Sequence, residues 1–131
     1  MKARILCGVI GILFVLWVGA VLAQSESQAA SLTNEANTIL NSAKSKDDYE
    51  RAAQKYEEAL KICERVKSDK GIGFCSNQLG VIQSRLGQYQ KALEYYEKAL
   101  AIFNKMGNLE AKGKNLNNIG EVYRHLGVCR T

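Results

Sequence analysis

A period of 40 residues governs this chain. Tyr56-Glu57-Glu58-Ala59-Leu60-Lys61-Ile62 returns as Tyr96-Glu97-Lys98-Ala99-Leu100-Ala101-Ile102 at an offset of 40. Tyr49 and Ala52 return as Tyr89 and Ala92, Asn77-Gln78-Leu79-Gly80 as Asn117-Asn118-Ile119-Gly120, and Leu86-Gly87 as Leu126-Gly127. Separate segments that agree on one offset mark a stack of like units. Each unit buries its apolar face only against its neighbours.

Within a period the apolar spacing is helical. Tyr89, Ala92, Leu93, Tyr96, Ala99, Leu100 and Phe103 step by threes and fours, and Tyr49, Ala52, Ala53, Tyr56, Ala59, Leu60 and Cys63 do the same one period earlier. A second stripe precedes each of these: Cys75, Leu79, Ile82 and Leu86, then Ile119, Val122 and Leu126. Proline, which breaks helix interiors, is absent from the whole sequence. Gly87-Gln88 separates the two helices of a period, and Asp47 is expected to hold the equivalent left-handed place in the first. So short a connection makes antiparallel neighbours. The prediction is an all-α solenoid of helical hairpins, with small residues (Gly80, Gly120, Ala52, Ala92, Ala59, Ala99) at the close approaches.

These residues resemble the tetratricopeptide repeat, a helix–turn–helix unit. Counting from Gly73, the residues Leu79, Gly80, Ala92, Tyr96 and Ala99 fall on signature positions of that family. A partial unit from Gly113 places Ile119, Gly120 and Tyr123 correctly. The unit from about Thr33 matches well in its second helix and poorly in its first, with Leu40 and Ala43 where the family has Gly and Tyr. Glu64 and Asn104 stand where the family has Pro. A period of 40 against the family's usual ~34 is similar to the long variety found in kinesin light chains and many bacterial repeat proteins. The expected units are 33–72, 73–112 and a partial 113–131, which gives two full repeats plus one helix.

The N-terminus has a different character. Lys2 and Arg4 are followed by an uncharged apolar run over residues 5–23, then by the polar QSESQAAS. This is the layout of a secretory signal peptide, with Val21-Leu22-Ala23 as its exit. The same run is long enough for a signal anchor that just spans a bilayer of ~30 Å. Residues 24–32 read as a polar linker to a repeat domain at 33–131. The expectation is an exported protein, periplasmic or extracellular, or one anchored in the inner membrane. Loss of Lys2 and Arg4 on cleavage takes the net charge from +5 to +3, too modest and too interspersed with acids to indicate nucleic acid.

The composition leaves little room for catalysis. His125 is the only histidine, and the cysteines at 7, 63, 75 and 129 form no CxxC pair. No metal, cofactor or catalytic residue is expected. His125 reads as an exposed residue of the last helix, and Tyr49, Tyr56, Tyr89 and Tyr96 read as packing residues. Cys63 and Cys75 are equidistant from the turn at Lys67-Ser68-Asp69-Lys70. They should therefore lie close, either as a disulfide or as two buried thiols. Cys129 is either free or a link between chains.

The resemblance implies a non-enzymatic scaffold that binds a peptide segment of a protein partner. In such arrays the first helix of each pair lines a concave groove. The residues that fall there include Asn34, Asn37, Asn41, Lys44 and Ser45, then Phe74, Asn77, Val81, Ser84 and Arg85, then Lys114, Asn117, Glu121, Arg124 and His125. Asn37, Asn77 and Asn117 recur at one place in every unit. A row of amides can donate to and accept from a peptide backbone, or it can bridge neighbouring helices instead. Lys44, Arg85, Lys114 and Arg124 set four bases against Glu121. A second reading is the regulatory part of a larger protein in which such repeats precede a caspase-like peptidase domain.

Overall fold

A computed structural model describes residues 2–127, and Cys129 lies outside them. Among the described residues five helices and no strand occur: α1 Lys2–Ser42, α2 Lys46–Arg65, α3 Asp69–Arg85, α4 Tyr89–Met106 and α5 Leu109–His125. Each packs on the next along the chain, and α3 also touches α5. The helical hairpins expected from the period are present: α1 with α2, α3 with α4, and α5 in the place of a third first helix.

The connections are built from short-range hydrogen bonds. After α2 the chain turns at Lys67, whose φ is 57°. Ser68 N–H then donates to Cys63 C=O at 2.9 Å and Lys67 N–H to Glu64 C=O at 3.2 Å, the Schellman closure that satisfies the last carbonyls of a helix. Gly87, with φ 74°, closes α3 in the same way. The start of α2 carries a capping box between Ser45 and Asp48. The backbone N–H groups of Lys44 and Ser45 and the Ser45 hydroxyl hold the Asp48 carboxyl below the usual carboxylate range. Asp47 is accordingly not a left-handed linker residue. It sits in the first turn of α2, where an acid favours the positive end of the helix dipole.

The polar linker expected at 24–32 is also corrected. Those residues are helical, part of one unbroken α1, and Ala29 is buried against the repeats at 5% exposure. No glycine or proline interrupts residues 20–42, so nothing in the backbone chemistry stops the helix.

The larger core contains Ala52, Tyr56, Leu60, Leu79 and Ile82, and Ala29 and Ala36 join it from α1. A smaller core gathers Ala92, Leu93, Tyr96 and Val122 where α5 meets α4. The apolar stripes read from the sequence therefore supply the core. Tyr56 and Tyr96 are buried, while Tyr49 and Tyr89 are half-buried. Residues of the run from Ile5 to Leu22 touch none of this core, and the span from Ile5 has a mean hydropathy of 2.8.

Candidate functional site

Two cavities flank Phe74 on α3. One, of about 490 Å³, lies between α1 and α3 and is lined by Thr33, Asn34, Gly71, Phe74 and Cys75. The other, of about 440 Å³, lies between α3 and α5 and is lined by Phe74, Asn77, Gln78, Ala111 and Lys114. Phe74 is 40% exposed, a large apolar side chain on the face where the first helices meet. Lys70 borders both cavities. The walls are mostly apolar with a few amides and charges, the composition of a site that takes side chains of a partner.

Of the residues expected to line a groove, Asn34 borders the first cavity, Phe74 both, and Asn77 and Lys114 the second. Asn117, Glu121 and Arg124 border a separate cavity of about 480 Å³ with Leu116 and Gly120, and Asn37, Asn41 and Arg85 border none of the three. Asn41, Lys44, Lys114, Asn117 and Arg124 are exposed. Asn37 and Asn77 are half-buried, and each is already engaged within the fold. The Tyr56 hydroxyl donates to Asn37 Oδ1, and Gln78 Nε2 donates to Tyr56 Oη at 3.4 Å. Asn77 Oδ1 accepts from Asn115 Nδ2 at 3.0 Å and from Asn118 Nδ2 at 3.5 Å. The amide row thus bridges helices at Asn37 and Asn77, and only Asn117, on the last helix, is an exposed amide of the row. Asn115 is fully buried, so its amide depends on Asn77.

The charges are more balanced than a count of one acid suggests. Lys114 Nζ lies 2.6 Å from Glu110 Oε1, and Arg124 lies 3.8 Å from Glu121. Arg85 donates to the Tyr49 hydroxyl at 3.4 Å with its guanidinium 5.9 Å from the ring centre. Glu110 is held below the usual carboxylate range by its hydrogen bond to Lys114. His125 stacks on Tyr89 with ring centres 5.5 Å apart. No group of three metal-ligating side chains forms among the described residues.

Cys63 and Cys75 are free thiols, so the disulfide open to them is not formed. They do lie close together: each is buried and both line the cavity between α1 and α3. The turn places the two helices side by side but does not set the Cβ vectors a disulfide needs. Burial, and then the neighbouring Cys63, push the Cys75 thiol up to about 11.

Lys70, Gln78, Phe103 and Met106 also border these cavities, although the sequence marked none of them as a groove residue. Lys70 precedes Gly73 and so falls at the end of unit 33–72 as read, not in the first helix of the next unit. The helices begin about one turn earlier, at Asp69 and Leu109.

Residues 35–105, more than half of the chain, match the family model described as "Tetratricopeptide repeat". Among solved structures, the TPR domain of Arabidopsis FLU superposes with a TM-score of 0.71 at 21% identity. The match covers 79% of this chain and 83% of that one. A likeness at that identity concerns the fold. A search of curated proteins finds none that matches.

Proposed function

This chain belongs to the tetratricopeptide repeat family, whose fold is in general a scaffold for protein–protein interaction, and from that premise we propose that it binds a peptide segment of a partner across α1, α3 and α5. The observation that carries the reading is the pair of mostly apolar cavities on either side of the exposed Phe74 ring. A segment in the polyproline-II conformation advances about 3.1 Å per residue and returns to the same side every third residue, and packed helices lie about 8–10 Å apart. Two apolar side chains about three residues apart therefore fit one to each cavity. Lys70 at the border of both favours acidic groups between those anchors. Contact with the peptide backbone falls mainly to Asn117 and to the amide N–H groups of Asn37. Asn41, Lys44, Arg85, Lys114 and Arg124 form the polar rim.

The test is binding of the full chain to an immobilised peptide library. Peptides with two apolar residues three apart should be enriched. Phe74→Ala should weaken them at least tenfold while the far-ultraviolet circular dichroism stays that of the wild type. Enrichment that ignores apolar spacing, or affinity untouched by Phe74→Ala, contradicts the proposal.

Export is part of the same proposal. Cleavage after Ala23 would leave residues 24–42, a helix close in length to the 17 to 20 residues of α2 to α5. The anchored alternative is favoured by the continuity of α1. From Ala23 to the buried Ala29 is about two turns, or roughly 9 Å at 1.5 Å per residue. An uncleaved helix would hold the repeats against the bilayer surface. N-terminal sequencing of the exported protein separates the two, with Gln24 as first residue for cleavage and the intact chain in the membrane fraction for the anchor.

A further inference from the structure

The α2–α3 turn stands at the end of the repeats from which the apolar part of α1 leaves. Antiparallel packing brings Val66, Ser68 and Lys70 to the same cavity as Glu26, Ala29 and Ala30 of α1. Glu26 lies about 4.5 Å along the helix beyond Ala23, the last residue of the uncharged run, and Ala30 roughly 10 Å beyond it. The run over residues 5–23 is itself about 28 Å long as helix. That matches a hydrocarbon core of about 30 Å, and the headgroup layer beyond such a core is about 5–7 Å deep. With α1 across a bilayer, the turn therefore stands at or just above the headgroups. Its charge is lopsided. Glu64 is paired with Lys98 and Asp69 with Lys105. Arg65, Lys67 and Lys70 are exposed and form no ion pair among the described residues, and Glu26 is the acid that α1 adds at this level. At the far end of the repeats, between α1 and α2, charge is balanced: Lys44, Lys46 and Arg51 stand against Asp47, Asp48 and Glu50.

We propose that the α2–α3 turn lies on the headgroups of the bilayer that α1 spans and takes anionic phospholipid through Arg65, Lys67 and Lys70. The inference rests on the anchored reading of α1. Long basic side chains reach down to the headgroups while their backbone stays above them. An anionic lipid surface attracts each base within a Debye length, about 8–10 Å at ordinary salt. A single spanning helix leaves the repeats free to lean in any direction, and this second contact fixes the lean. Arg65 and Lys67 border neither cavity at Phe74, so they test the contact apart from the peptide site.

The isotope-labelled full chain is placed in nanodiscs of phosphatidylcholine alone, or of phosphatidylcholine mixed equally with phosphatidylglycerol, each doped with a lipid whose headgroup chelates gadolinium. Amide signals of residues 65–70 should broaden at least twofold more in the mixed discs, while those of residues 43–46 at the far end do not change. High salt, which screens exposed charges, should remove that difference in the unaltered chain, and Arg65→Gln/Lys67→Gln should remove it at low salt. A chain that stays out of the discs, or amides of residues 8–20 that exchange readily with solvent, would sink the anchored reading and this inference with it. With α1 protected, broadening at 65–70 that ignores phosphatidylglycerol, or that residues 43–46 match, would overturn the inference alone.

Discussion

Gly80→Ala and Gly120→Ala make a matched pair in which one methyl group meets opposite surroundings. The two glycines hold the same place in successive units, each in a first helix, and Ala is favoured over Gly in a helix interior by about 0.8–1 kcal/mol. At Gly120 the new Cβ meets nothing within 4 Å among the described residues. That gain is therefore kept, and the variant should be more stable by about 0.5–1 kcal/mol. At Gly80 the Cβ would lie 2.5 Å from the Tyr96 ring and 3.0 Å from its Cγ. Tyr96 is 2% exposed and cannot swing out without opening the α3–α4 seam. Overpacking of this kind costs typically 1–3 kcal/mol, which exceeds the helix gain. The net effect is a loss of about 1 kcal/mol. For a domain of this size each kcal/mol moves the melting temperature by about 4–8 °C. Thermal unfolding followed at 222 nm should place Gly80→Ala several degrees below the wild type and Gly120→Ala a few degrees above it. Equal shifts in the two variants, or a stabilised Gly80→Ala, would refute the close seam between α3 and α4.

Asn77→Ala should lower stability by about 1–3 kcal/mol, because the fully buried Asn115 amide loses its acceptor; an unchanged melt would show that Asn77 has no structural part. Tyr56→Phe removes the hydrogen bonds to Asn37 and from Gln78 while keeping the ring. It should cost about 1–3 kcal/mol in a denaturant melt, at about 0.5–1.5 kcal/mol for each of the two hydrogen bonds. The Cys75 thiol is raised from 9.0 to about 11. Between those values the folded chain keeps a proton that the unfolded chain has lost, so stability should fall as pH rises from about 9 to about 11. Cys75→Ala should flatten that part of the stability–pH curve, and a curve of undiminished slope would contradict the assignment. In timed alkylation at pH 8, the buried Cys63 and Cys75 should react much more slowly in the folded protein than in the urea-unfolded chain.

The repeat itself was legible because its apolar positions carry two signals at once, a helical spacing and a fixed offset. Tyr56, Ala59 and Cys63, with Tyr96, Ala99 and Phe103, are buried where that pattern puts them. The turns were legible where glycine marks them, at Gly87, and less so at Lys67, which takes the left-handed conformation without glycine. The continuity of α1 was hidden. The run QSESQAAS is polar enough to read as a linker, although its residues form good helix and its Ala29 fills a small gap in the core. The amide row was seen but its partners were not. An asparagine at a repeating position announces a donor and an acceptor, and whether the Tyr56 hydroxyl, an Asn115 amide or a ligand answers it depends on distances between helices. The cysteines follow the same logic: symmetry about a turn gives nearness, while side-chain direction decides bonding.

The claim that most needs direct measurement is that the face spanning α1, α3 and α5 is where a partner peptide lies. A selected peptide titrated into isotope-labelled protein in micelles reports this through amide and side-chain chemical shifts. The expected perturbations centre on Phe74 and extend to Asn34, Lys70, Lys114 and Asn117, with Glu58, Lys91 and Glu94 on α2 and α4 unmoved. Perturbations confined to α2 and α4, with Phe74 unchanged at saturation, would contradict the account.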